Sequence, residues 1–130
     1  MSAWMITRHG CDYFISGHEM LENVPSIADI ANSLAQLNRY TGHATRPNSV
    51  AEHSLLTADL ARHDGKSALI QYACLMHDAH EAITGDMSSP AKNVVGFGWA
   101  TFEHRHADQV RRHFGLHTAF AAYKDLINHY

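Results

Sequence analysis

Cysteine, proline and long apolar runs are scarce in this chain of 130 residues, which has only two cysteines and three prolines. Cys11 and Cys74 cannot build a disulfide framework, and Cys74 sits in an apolar helical stretch, so a reducing, cytoplasmic compartment is the expected setting. No apolar segment approaches the roughly 18 residues of a membrane span, and no membrane partner is expected. The opening "MSAWMITRHG" lacks an apolar h-region and a small-residue cleavage pattern, so no secretion signal is read. A basic block is missing too. Net charge is −3, which speaks against a nucleic-acid partner, although a few local cations suffice for a small anion. What remains, 45% hydrophobic and 18% charged, is ordinary for one globular domain with one core, residues 1–130. Histidine stands out at twelve residues, and histidine is the commonest protein metal ligand.

Along the chain, "WMIT" and "DYFI" flank "RHGC" and predict a short N-terminal β-hairpin. From Ser26 the period becomes helical. Ile27, Ile30, Ala31, Leu34 and Leu37 share a face, and Ser26 with Asp29 has the pattern of a capping box. After the turn "TGHATRPNS", Ser49 and Glu52 repeat that pattern and open a helix through Val50, Leu55, Leu56 and Leu60. A third helix is predicted from about Ser67 to Ile83, with Leu69, Ile70, Ala73, Cys74 and Met76 inward, and "TGDMSSP" is expected to end it. A fourth spans roughly Trp99 to Phe114 with Gly115 as its stop, and a fifth starts near Thr118. The expected fold class is mainly α, a single helical bundle carrying the hairpin.

The third helix poses a chemical problem. "CLMHDAHEAITGD" begins as a buried face and then places His77, Asp78, His80, Glu81 and Asp86 within ten residues. Burying such groups unpaired costs several kcal/mol each, so they require partners. His77 and Asp78 are adjacent, and Glu81 lies one helical turn beyond His77. Two ligands do not complete a site. His53, in the first turn of the preceding helix, is the natural third. Asp125, among apolar residues in "YKDLINH", is placed as an inward carboxylate would be and is the expected fourth. Two imidazoles and two carboxylates suit one divalent transition metal with positions left open for water and substrate.

Taken in order, "NSVAEHS", "LMHDAHEAITGDMSSPAK" and "YKDLI" resemble the HD-domain metal-dependent phosphohydrolases. The resemblance is strongest to the small bacterial and phage nucleotide-hydrolysing branch that includes 5′-deoxynucleotidases, and it runs from about Tyr13 to Asp125. It implies that His53, His77, Asp78 and Asp125 bind a metal ion such as zinc, manganese, cobalt or iron, with magnesium as a candidate second ion. It implies catalytic roles for Glu81 and Asp86, around the attacking water and the leaving group. It matches Arg39 and Tyr40 to an Arg–aromatic pair at the nucleotide end of the pocket, and Lys92 to a basic residue beside the phosphates. The implied reaction is attack at the α-phosphate of a small-molecule nucleotide substrate, either a deoxynucleoside monophosphate or a triphosphate. A non-catalytic nucleotide or metal sensor on the same scaffold is the competing expectation.

Two positions depart from that pattern. A lysine is common three residues before the final aspartate, where this chain has Ala122, and Lys124 adjoins Asp125 instead. The chain also reaches Tyr130 only five residues after Asp125, where relatives place a further helix. Tyr123, Leu126, Ile127 and Tyr130 are therefore expected to lie at the contact of a homo-oligomer. His43 and His104 have no expected role. His80 is expected to face solvent or sit behind the ligands, and His9, His18, His63, His113, His117 and His129 are read as background.

Overall fold

Ser26, Ser49 and Ser67 each start a helix by the same means, the hydroxyl accepting the backbone N–H three residues on, from Asp29, Glu52 and Ile70. The helices they open are α1 (Ile27–Gln36), α2 (Val50–His63) and α3 (Ala68–Met76). The computed structural model describes residues 3–16 and 24–130, so His18 lies outside the described residues. Before α1, strands β1 (Trp4–Ile6) and β2 (Asp12–Phe14) pair antiparallel with Met5 opposite Tyr13. After α3 come α4 (Glu81–Thr84), α5 (Ser89–Val95), α6 (Phe97–His113) and α7 (His117–His129). The fold is thus mainly helical with a small two-stranded sheet near its N-terminus, as the sequence predicts. No helix among the described residues is long and apolar enough to cross a membrane.

The central pair is α2 against α3, and it is built differently from the sequence expectation. Leu55, Leu56 and Leu60 are exposed. The buried face of α2 is Val50, Ser54, Thr57 and Ala61. Small side chains let the backbone approach Ala73 and Cys74 of α3, both fully buried, and Thr57 Oγ1 lies 3.1 Å from the Cys74 carbonyl. The large leucines have no room at so close a crossing. The same reversal takes Ile27, Ala31 and Leu69 to the surface, while Ile30, Leu34 and Ile70 enter the core.

α3 also stops earlier than predicted, at Met76. Side chains gather at the Cys74 carbonyl: Thr57 Oγ1, which also lies 2.9 Å from the Ser54 carbonyl, is 3.1 Å from it, and His77 Nδ1 lies 2.6 Å from it. The next amides turn back to the carbonyl three residues behind, Ala79 to Met76 and Glu81 to Asp78, before α4 begins. A continuous helix to Ile83 is therefore replaced by a tightened turn bearing His77 and Asp78. "SSP", expected only as a stop, instead opens α5, with Pro90 in the first turn where a missing N–H costs nothing.

α6 crosses α4, α5 and α7, and α7 packs on α3. His106 of α6 is buried and its Nε2 bonds the Ile15 carbonyl, tying the hairpin to the helices. On α7, Ile127 is buried and Leu126 and Tyr130 pack against the core, while Tyr123 is exposed. Of the four residues expected at a homo-oligomer contact, three thus pack within the chain's own core and Tyr123 stands exposed.

Candidate metal centre and adjoining cavity

His53 projects from the first turn of α2, His77 caps the C-terminus of α3, and Asp78 follows in the tightened turn. Their ligand atoms converge: one atom from each residue lies within 4.8 Å of the other two. His77 Nε2 is 3.0 Å and His53 Nε2 is 3.6 Å from Asp78 Oδ2. Donors at ~2.1 Å from one ion lie roughly 3.0–3.4 Å apart in octahedral or tetrahedral geometry, so the His77–Asp78 separation falls in that range and His53 stands slightly outside it.

The hydrogen bonding argues the same way. His77 Nδ1 donates to the Cys74 carbonyl, which leaves Nε2 facing the Asp78 carboxylate. A bare lone pair opposite a carboxylate is repulsive, so the position calls for a proton or a cation. The pKa directions express this demand. The His77 pKa is raised because the Asp78 carboxylate outweighs burial, and Asp78 is held well below the usual range, its burial outweighed by His77 and His80. His53 moves down, from burial and from the positive charges of Arg39 and His77, which favours the neutral imidazole that ligates.

Asp125 does not join them. It is exposed, and none of its atoms belongs to the cluster. At ~100° per residue it projects roughly 160° away from buried Ile127, on the outward side of the last turns of α7. Its apolar sequence neighbours are the reason it reads as inward, and the helical phase overrides them. Asp108 is no substitute, since it pairs with Arg112 and His117.

Beside the trio opens a cavity of ≈ 570 Å³, lined by Asp78, Glu81, Asp86, Arg39, Tyr40, His43 and Lys92 among others. Arg39 and Tyr40 reach it from a 3₁₀ turn, Arg39–Gly42, anchored by the Asn38–Ser49 bridge at the mouth of α2. Tyr40 and Thr41 adopt left-handed backbone angles, φ 59° and 54°, a strain of order 1–3 kcal/mol each that the bridge sustains. The Arg39 guanidinium lies over the Tyr40 ring at 4.7 Å, which sets its direction. All five residues expected outside the ligand set therefore line one cavity, and Asp78 forms its boundary with the metal cluster.

Glu81 is buried at 6% exposure, and burial together with the charges of Asp78 and Asp86 pushes its carboxyl up to about 9. Asp86 is raised by burial and Asp78, opposed by Lys92 and Arg39. At neutral pH Glu81 is thus a proton donor in the absence of a cation. Between the ordinary 4.5 and about 9 the folded state holds a proton that the unfolded chain has released. Its stabilising contribution is complete below pH 4.5 and declines as pH rises towards 9. The urea midpoint of chelator-treated protein is expected to fall between pH 5.5 and 8.5, and Glu81→Gln is expected to flatten that slope. An unchanged slope in the variant would assign the dependence to other groups.

Of the support behind the cavity, the sequence anticipates His80 behind the ligands as one of two placements but gives no role to Glu103 or Arg111. His80 is buried, with Nε2 3.3 Å from Glu103, and Arg111 Nη2 donates to the His77 carbonyl at 3.2 Å. The one available signal is the i, i+4 pair Trp99–Glu103, where the indole donates to the carboxylate at 2.6 Å.

The chain matches none of the known family models. It is 39% identical over 105 residues to an uncharacterized protein of Rhodobacter capsulatus, covering 75% of this chain and 54% of that protein. It is 32% identical over 104 residues to the uncharacterized protein YfdR of Escherichia coli K12, covering 78% and 55% respectively. The chain thus spans about half the length of these curated relatives, and neither name carries an activity.

Proposed function

We propose that the chain is a metal-dependent phosphohydrolase of the HD type, acting at the α-phosphate of nucleotides, with deoxynucleotides favoured. The observation that carries this reading is the junction of three chemistries in one place. A His–His–Asp trio suited to a divalent cation adjoins a cavity holding two cations, Arg39 and Lys92, and two carboxyls displaced upward in pKa, Glu81 and Asp86. A divalent ion at the trio would lower the pKa of a water towards ~7 and polarise a phosphoryl oxygen. Arg39 and Lys92 offset the charge of the phosphate, with the guanidinium fork able to grip two oxygens. Glu81, buried on the wall of the cavity beside Asp78, is placed to relay a proton to the leaving oxygen or the metal-bound water. Asp86, lining the same cavity, would act around the attacking water and the leaving group. At ≈ 570 Å³ the cavity is of the size that takes a nucleoside phosphate.

The test is a phosphate-release screen over deoxynucleoside monophosphates, ribonucleoside monophosphates and deoxynucleoside triphosphates, with Mn²⁺, Co²⁺, Zn²⁺ and Mg²⁺ in turn. Orthophosphate from monophosphates, or tripolyphosphate from triphosphates, is expected with at least one transition metal and not after chelation. Tight nucleotide binding without turnover under every metal would replace the enzyme by a sensor.

A further inference from the structure

We propose that Arg111 is a positioning residue for the candidate metal centre, holding the peptide that joins His77 to Asp78 and so fixing how their ligand atoms stand. The inference rests on the reading of those two residues as ligands. Arg111 Nη2 donates to the His77 carbonyl at 3.2 Å, and that carbonyl belongs to the one peptide between them. Backbone N–H groups of the tightened turn go to the Cys74, Met76, Asp78, Ala79 and His80 carbonyls, and among the described residues none goes to that of His77. A helix that ends leaves carbonyls without partners, and a cationic side chain is one way of satisfying them. Here the donor comes from α6, 34 residues along the chain.

The guanidinium is itself held. It lies over the ring of Phe120 at 3.9 Å, and Phe120 is buried on α7, so Arg111 reaches the turn from the interior with its plane set. The bond to His77 is its only hydrogen bond among the described residues, while its Nε is buried without a partner. Packing on Phe120 needs no guanidinium, and an apolar side chain there would bury no unpaired N–H. On the other side of His77, Nδ1 is tied to the Cys74 carbonyl, so ring and peptide are each held at one point. With both held, His77 Nε2 stands 3.0 Å from Asp78 Oδ2, the separation of two ligands on one ion. Rotation of the freed peptide would swing Asp78 relative to His77. Arg111 lines the opening on the Trp99 side and not the cavity beside the trio, so it acts through the backbone rather than on substrate. Its charge works the other way, opposing a further positive charge at His77. Substitution separates the two influences.

Co²⁺ titrated into the chain and followed by its visible absorption bands makes the test. Arg111→Lys keeps the positive charge, but its ammonium ends one bond short of the guanidinium nitrogens and lacks their fixed fork. The variant is expected to bind Co²⁺ about tenfold more weakly, the order lost with groups that orient a ligand, and to shift the bands. A role through charge alone leaves Co²⁺ binding of Arg111→Lys unchanged. A role in packing alone lowers its urea midpoint and leaves affinity and bands as in the parent. Either result overturns the proposal. Phe120→Leu removes the ring beneath the guanidinium while keeping Arg111, and is expected to weaken Co²⁺ binding in the same direction by less; it carries the test if Arg111→Lys does not fold. A second readout needs no metal. The ¹⁵N order parameter of the Asp78 amide, the N–H of the held peptide, is expected to fall in Arg111→Lys from the rigid value of about 0.85. Should the unsubstituted chain bind no Co²⁺, the functional reading fails, and the relaxation measurement still decides whether Arg111 holds this peptide: an unaltered order parameter overturns it.

Discussion

Asp78→Asn is expected to reduce affinity for Mn²⁺ or Zn²⁺ by more than ~100-fold, the upper range seen when groups merely supporting a metal ligand are lost. The reasoning is geometric. Asp78 Oδ2 is the atom to which both imidazole nitrogens point, at 3.0 and 3.6 Å, so removing its charge removes the centre of the cluster. The amide is nearly isosteric, so the fold should persist, but the attraction of His77 and His80 for the carboxylate is lost. The metal-free variant is therefore expected to unfold at a lower urea concentration than the parent at pH 8. Calorimetric titration with Mn²⁺ checks the first expectation and urea denaturation the second. Metal affinity within a few-fold of the parent would remove Asp78 from the ligand set and leave the trio as an ordinary buried polar cluster.

Glu81→Gln is expected to lower turnover by roughly 10²–10⁴-fold, the range for loss of a general acid or base, while metal affinity changes little. Glu81 is the most buried carboxyl lining the cavity, and burial raises its affinity for a proton, which suits it to hold and pass one at neutral pH. Glutamine matches its volume and offers an N–H but no transferable proton. The effect should fall on kcat rather than KM, because the neutral acid and the amide fill the same space. Unchanged kcat with the best substrate and metal from the release screen would reduce Glu81 to a bystander. Loss of metal binding in the same variant would show that its carboxyl belongs with the ligands.

Much of the architecture is legible in local chemistry. Ser26 and Ser49, each with an acidic residue three on, announce the starts of α1 and α2 and make the capping bond expected of them, and Ser67, read only as the start of α3, makes the same bond. The alternation around "RHGC" announces the hairpin. His53, His77 and Asp78 are legible as a set because ionisable groups inside apolar helices need partners, and the structure brings the three together. The misses share one cause. Leu55, Leu56 and Leu60 look like a core face by hydrophobicity, yet the close α2–α3 crossing selects Ser54, Thr57 and Ala61 by size. Asp125 looks inward by its neighbours, yet the phase of the last turns of α7, set by buried Ile127, turns it out. The Glu103 cluster joins α4, α5 and α6 through contacts 11 to 23 residues apart, and no local window contains it.

The sequence by itself determined the helical class, the helix starts, the hairpin and the residue types able to hold a cation beside an anion. Only the tertiary structure decided which helix face is buried, where α3 yields to the turn at His77, and which cations and carboxyls share a cavity. Hydrogen bonds between near neighbours are written in local order and can be read from it. Packing at a helix crossing and the sharing of one carboxylate by distant donors depend on where whole elements come to rest, and chain order carries no direct record of that.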